Sequence, residues 1–162
     1  MRRHLFLYLA LICFIGLIAI FVVDGYMGVY DTVYVTTGEY EHTMGPGIWL
    51  RGDTGWSSGS SWGEKTFFRY EVDNRRFSSY SATIKASVWK ENEKIMDLLV
   101  EDKVIRAFDK ATMEWTLDSK ELESKGFDVG QYTVKIERER VELKVLIGYS
   151  YPPSPPRAEI RQ

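Results

Sequence analysis

Hydrophobic and polar positions divide the chain into two unlike parts. Residues 5–23 read LFLYLALICFIGLIAIFVV, apolar throughout and free of charge. As a helix these residues extend ~28 Å at ~1.5 Å per residue, against a hydrocarbon core of ~30 Å. Beyond Val23 the pattern changes to short alternations of period two, as expected for strands with one buried face. The clearest is Tyr80, Ala82, Ile84, Ala86 and Val88, interleaved with Ser81, Thr83, Lys85, Ser87 and Trp89. Residues 32–36 (TVYVT), Phe68/Tyr70/Val72, Met113/Trp115/Leu117, Tyr132/Val134/Ile136 and Val141/Leu143/Val145/Ile147/Tyr149 repeat it. Apolar runs at 95–100 and 104–108 are consistent with two more strands, and residues 90–94 and 138–140 read as polar turns. Residues 119–125 (SKELESK) read as a surface loop or one helical turn.

These elements predict an all-β domain over residues 31–150, an antiparallel sandwich of seven to eight strands, preceded by one N-terminal transmembrane helix. Residues 45–65 (GPGIWLRGDTGWSSGSSWGEK) break the alternation and are expected as a Gly/Trp-rich loop. Residues 151–162, with four of the five prolines, form a Pro-rich tail expected to be extended or disordered.

Charge orients the apolar segment. Arg2 and Arg3 precede it, while no Lys or Arg follows before Arg51, and Asp24, Asp31, Glu39 and Glu41 do. The positive-inside rule then leaves residues 1–4 in the cytoplasm, makes 5–23 a signal anchor in the plasma membrane and 24–30 a juxtamembrane spacer, and puts the β domain outside. Tyr26 and Tyr30 fall where an aromatic belt sits. Two other readings stay open. One is a cleaved signal peptide with a site at Val23-Asp24-Gly25, for which the apolar run is long; the other is a buried core helix, for which it is apolar on too many faces. Cys13, the single cysteine, follows the bulky Ile12, whereas a lipoprotein cysteine follows a small residue. The outer domain therefore has no internal disulfide.

With Arg2 and Arg3 set aside, 19 basic residues stand against 23 acidic ones. That balance excludes the basic footprint of a nucleic-acid binder. Chemistry is sparse. Outside the apolar segment and its flank His42 is the lone histidine, and no G-x-S-x-G, phosphate-binding glycine loop or Cys/His zinc spacing accompanies it. On a strand Glu39 and Glu41 share one face and His42 points to the other, so they do not make a metal set. No catalytic residue, cofactor or metal is expected. Arg51-Gly52-Asp53 spells an adhesion tripeptide, but within ordinary turn formers.

Trp49, Trp56 and Trp62 give the loop its interest. Exposed Trp rings enter partner pockets or stack on sugars; folded back, they cap an open end of a sandwich. The leading expectation is a membrane-anchored, single-pass extracytoplasmic domain acting by protein–protein contact. It would serve as an accessory subunit of a membrane complex or a surface interaction module, its lipid contact made by residues 5–23. A glycan- or cell-wall-binding module using the three Trp residues is the alternative, and a hydrolase with an unmarked carboxylate pair is the third.

Asp128-Val129-Gly130-Gln131-Tyr132 has the form D-x-G-x-Y directly before a strong strand. It resembles the corner between the E and F strands of immunoglobulin-like and fibronectin-like domains, where a Tyr hydroxyl bonds back to nearby backbone. The likeness spans roughly residues 66–150. It implies that residues 80–89 form the B strand, 113–117 the E strand, 132–136 the F strand and 141–149 the G strand. The paired cysteines and core Trp of antibody-type domains are missing, so disulfide-free modules are the nearer likeness. Such folds host many functions.

Overall fold

The computed structural model describes residues 2–37, 40–47 and 54–151. Helix α1 (Arg2–Met27) contains an 18-residue window, Phe6–Val23, of mean hydropathy 3.0, no part of which is buried in the protein. It is long and apolar enough to span a membrane, and its exposure on all sides excludes the core-helix reading. Residues 24–30, expected as a juxtamembrane spacer, are shared between the end of α1 and the start of β1. The helix continues to Met27, Gly28 makes the corner at φ 67°, and β1 (Val29–Thr37) starts at the next residue. Glycine alone takes that φ without a Cβ penalty.

Nine strands follow among the described residues, rather than seven or eight. They are β1, β2 (Tyr40–Gly47), β3 (Thr54–Ser61), β4 (Lys65–Asn74), β5 (Tyr80–Lys90), β6 (Glu93–Ile105), β7 (Asp109–Asp118), β8 (Gly130–Arg138) and β9 (Val141–Ser150). One sheet has the order β2-β1-β4-β7 and the other β3-β9-β8-β5-β6. Every neighbour pair is antiparallel except β3 with β9. β2 and β3 take up much of the stretch expected as a loop. β3 (TGWSSGSS) has no apolar alternation; it is a strand because its backbone extends the edge of β9. The run expected at 95–100 and the start of the one expected at 104–108 are one strand, β6, whose polar Glu101-Asp102-Lys103 pairs with β5 without a turn, and residues 106–108 form the loop after it. An edge strand carries such charges readily.

One core fills the space between the sheets. Val33, Val35, Phe68, Tyr70, Val72 and Leu117 of the first sheet meet Ile84, Val88, Val134, Ile136, Val145 and Ile147 of the second. Each such side chain contributes ~1.5–3 kcal/mol of transfer free energy. Helix α2 (Ser119–Ser124), capped by the Asp118 carboxylate accepting from the Lys120 amide at 2.9 Å, inserts Leu122 as a plug at the end distant from α1. Trp62 covers the same end, its ring meeting Tyr149 edge-on at 5.8 Å.

The two sheets are also joined by a buried ion pair. Asp31 on β1 is 1 % exposed and Arg138 on β8 is 5 % exposed. The guanidinium donates Nε–H to Asp31 Oδ1 at 2.9 Å and Nη2–H to Oδ2 at 2.6 Å, a two-pronged geometry. Tyr70 donates its hydroxyl to Asp31, and Arg138 Nη1 donates to the Tyr80 hydroxyl. Burial alone lowers the Arg138 pKa, but the hydrogen bonds and charge of Asp31 outweigh it and hold the guanidinium more firmly protonated than usual. Both tyrosines are pushed upward, chiefly by burial.

At the end where α1 enters, Asn74 gathers two loops. Its buried amide donates to the carbonyls of Ser78 (2.9 Å), Ile105 (3.2 Å) and Arg106 (2.9 Å), and its Oδ1 accepts from the Arg76 amide at 3.2 Å. The β6–β7 loop turns at Phe108, a bulky residue at φ 58°. That region is unfavourable for any side chain with a Cβ.

Removing one partner of a buried pair leaves the other charge unsatisfied. Asp31→Ala should therefore cost ~3–5 kcal/mol in chemical denaturation, and Asp31→Leu with Arg138→Met should recover most of it. A double variant no more stable than the single would refute this assignment. The alkaline limb depends on tyrosine. Burial, only partly offset by the Thr66 bond, pushes the Tyr149 hydroxyl from 10.0 up to about 12. In that window the unfolded chain binds fewer protons than the folded one. Stability should thus be intact below about pH 10, fall as pH rises, and lose this contribution above about pH 12, with tyrosinate absorbance lagging until unfolding. Phe108→Gly should stabilise the domain by roughly 1 kcal/mol through relief of its backbone, measurable as a raised denaturation midpoint.

Candidate contact surfaces

Of the three tryptophans singled out by sequence, Trp56 and Trp62 fall among the described residues. Trp49 lies outside the described residues, as do Arg51-Gly52-Asp53, Glu39 and the tail beyond Tyr151. Trp56 sits on β3 opposite Val145 of β9. Trp62 is partly buried against the core, with its amide donating to the Ser150 carbonyl at 2.7 Å. Glu41 and His42 are consecutive residues of β2. No group of three or more His, Cys, Asp or Glu residues suited to a metal occurs among the described residues.

The corner residues Asp128, Gly130 and Tyr132 do meet. Tyr132 donates its hydroxyl to the Asp128 carbonyl four residues upstream, while the Asp128 carboxylate lies 3.6 Å from Lys90 Nζ. Burial raises the Tyr132 pKa, with Lys90 opposing. A Cβ at Gly130 would meet Lys90 at 3.9 Å, an ordinary contact, so sterics do not require glycine there.

A better surface arises where alternation points aromatic residues outward. In β4 the inward set is Phe68, Tyr70 and Val72, which turns Phe67 and Arg69 to the outer face of the first sheet. Register then builds two cross-strand rows: Tyr34–Arg69–Glu114 and Thr36–Phe67–Thr116, each running over β1, β4 and β7. Phe67 is 51 % exposed. Arg69 holds its guanidinium 4.1 Å above the Tyr34 ring and its Nε 3.8 Å from Glu71. The rows line an open depression of about 470 Å³ on the outer face, and Phe68 and Trp115 stack at 5.6 Å on the core side of the same sheet. An apolar ring beside a fixed guanidinium and an exposed carboxylate is the composition of an interface hot spot. The signal was present in the sequence as an aromatic residue at an outward position of β4, but the neighbours on β1 and β7 required the register.

The opposite face is charged. Thr83, Lys85, Glu137, Glu139, Arg140 and Glu142 surround a depression of about 520 Å³. Glu137 and Glu142 face each other across β8 and β9, and Glu142 lies 3.8 Å from Lys135 and 3.4 Å from Lys144. Beside it, Trp89 donates its indole N–H to Ser87 at 2.9 Å and carries Lys135 Nζ 3.7 Å above its ring. Charges paired in this way are a solvated surface of modest energy.

No protein-family model matches the chain, and no curated protein matches it. Among solved structures it is similar to a β-glucosidase from Listeria innocua in complex with glucose, at 16 % identity and a TM-score of 0.44 over 57 % of this chain and 15 % of that one. It is also similar to the alkylpurine DNA glycosylase AlkC of Pseudomonas fluorescens bound to DNA containing an abasic site analog, at 8 % identity and 0.45 over 57 % and 27 %. A family 123 glycoside hydrolase from Clostridium perfringens gives 8 % and 0.40 over 62 % and 24 %. The chain thus spans less than a third of each, and similarity at that level assigns neither fold nor activity to it.

Proposed function

We propose that this chain is a single-pass membrane protein whose immunoglobulin-like β-sandwich stands outside the plasma membrane and works by protein contact, without catalysis. The orientation rests on Arg2 and Arg3 before the span and on acidic residues after it. The immunoglobulin-like reading is supported by the Tyr132 corner bond and by the division of strands into two sheets. Within that reading β4 and β7 take the B and E positions and β8 and β9 the F and G positions. Residues 80–89 (β5) then correspond to the C strand rather than the B strand, because β5 pairs with β6 and β8 and not with the sheet of β7.

One observation carries the contact function: the Tyr34–Arg69–Glu114 and Thr36–Phe67–Thr116 rows expose an aromatic ring within a fixed frame of charge. Tyr34 lies five residues along β1 from Val29, about 17 Å at ~3.3 Å per residue. With a one-residue junction, the outer face is held at a set height above the lipid. The occupant that suits it is the extracytoplasmic part of a neighbouring membrane protein, with an apolar pocket for Phe67 and a carboxylate for Arg69. Glycan stacking has less support, since Trp62 is engaged with Tyr149 and Tyr34 already carries Arg69 on one ring face.

The test is quantitative recovery of partners from mild-detergent extracts with full-length tagged chain. Phe67→Glu should reduce recovery more than tenfold, as expected for a hot spot of ~2 kcal/mol, while leaving thermal unfolding nearly unchanged. Trp56→Ala serves as the comparison for the tryptophan segment. Undiminished recovery with Phe67→Glu would refute the outer-face site; loss with Trp56→Ala instead would return the contact to the Trp-bearing stretch.

A further inference from the structure

The end of the domain facing α1 carries two exposed aromatic residues that neither the core nor the outer-face surface uses. Phe77 in the β4–β5 loop and Phe108 in the β6–β7 loop are 52 % and 57 % exposed and meet edge-on, ring centres 4.9 Å apart. Their loops lie beside the helix exit, because the Arg75 amide donates to the Gly28 carbonyl at 3.3 Å. Asn74 fastens both loops from beneath through its bonds to Ser78, Ile105 and Arg106, so the two rings project as one unit. Phe108 keeps its aromatic side chain at a backbone angle suited to glycine. Strain of this sort collects at functional positions.

The surrounding charge is mainly positive. Arg75, Arg76, Arg106 and Lys110 are set against Asp73 and Asp109. Asp73 is engaged by Arg75 at 2.9 Å and Lys110 at 3.8 Å, and Arg75 also lies 4.4 Å above the Tyr30 ring. Distance completes the argument. Met27 is four residues past Val23, ~6 Å of helix rise, while the polar headgroup layer is ~5–8 Å thick. The Gly28 corner and the loop bonded to it therefore lie at the depth of the lipid headgroups.

We infer that loops 75–79 and 106–108 form a foot seated on the bilayer, with Phe77 and Phe108 in the interfacial layer and the flanking guanidinium and ammonium groups addressing lipid phosphates. Aromatic rings favour that layer, and each nearby cation adds electrostatic attraction to anionic lipid. The foot rests on the membrane-anchored reading above. It gives the domain a second lipid contact beside α1, and so restricts its tilt.

The experiment uses the full-length chain in vesicles of phosphatidylcholine with and without phosphatidylglycerol. In a Cys13→Ala background, Ser79→Cys beside the foot, or Asn92→Cys at the opposite end, carries an environment-sensitive fluorophore. Lipids with a nitroxide near the headgroup act as quencher. Quenching at position 79 should exceed that at 92 severalfold, increase with anionic lipid, and fall severalfold when Phe77→Ser and Phe108→Ser are added. Equal quenching at 79 and 92, or quenching unmoved by the two serines, would overturn the foot. The anchor is read separately from native Cys13, near the middle of the span, which should react with a polar maleimide only after detergent is added. Protected Cys13 with failed quenching removes the foot alone; Cys13 reactive in intact vesicles removes the anchor and the foot together.

Discussion

The Asp31–Arg138 pair sets the terms for the rest of the molecule. Two opposite charges are taken out of water between the sheets, which is tolerable only because each is met by the other in two-pronged geometry and by a tyrosine hydroxyl. Such a pair has one good geometry. It therefore fixes how β1 lies over β8 more narrowly than interchangeable apolar contacts can. Asp31 is the third residue of β1, so this fixed point lies close to the junction with α1. The alignment of the sheets is specified where the chain leaves the apolar helix, and the distant end is closed by softer means, with Leu122, Trp62 and Tyr149 as apolar cover.

Much of this architecture was legible as alternation. β4, β5, β8 and β9 bury one face, and a period of two survives wherever one face is buried. β3 left no such mark, because its place comes from backbone pairing with β9 and asks nothing of its side chains. β6 read as two pieces because an edge strand admits Glu101, Asp102 and Lys103 at positions that elsewhere signal a turn. The ion pair left a trace that parity can recover. Asp31 falls in phase with Val33 and Val35, and Arg138 in phase with Tyr132, Val134 and Ile136, so each is a charge at an inward position. Asn74 falls likewise in phase with Phe68, Tyr70 and Val72. A polar residue in the apolar phase of a strand marks a tie, although its partner, 107 residues away for Asp31 and Arg138, remains a matter of topology.

The candidate contact surface was legible in part. Tryptophan drew attention to residues 45–65, yet the exposed aromatic ring with charged neighbours is Phe67, directly beyond that stretch. Composition finds a conspicuous residue type; exposure depends on placement: strand phase turned Phe67 outward, and the turn after β3 laid Trp62 against Tyr149. The grid around Phe67 joins residues from three strands far apart in sequence and exists only once their register is known.

The junction at Gly28 has a mechanical consequence. β1 begins one residue after the helix and is hydrogen-bonded to β4 from Val29↔Asn74 to Thr37↔Thr66, and to β2 on its other edge. Ladder bonds in an antiparallel pair run perpendicular to the strands. A pull along α1 is thus taken as lengthwise shear across both ladders at once, not as peeling from one end. The domain is built as a load-bearing post, with a strand bonded on both edges continuous with the helix through which the pull arrives.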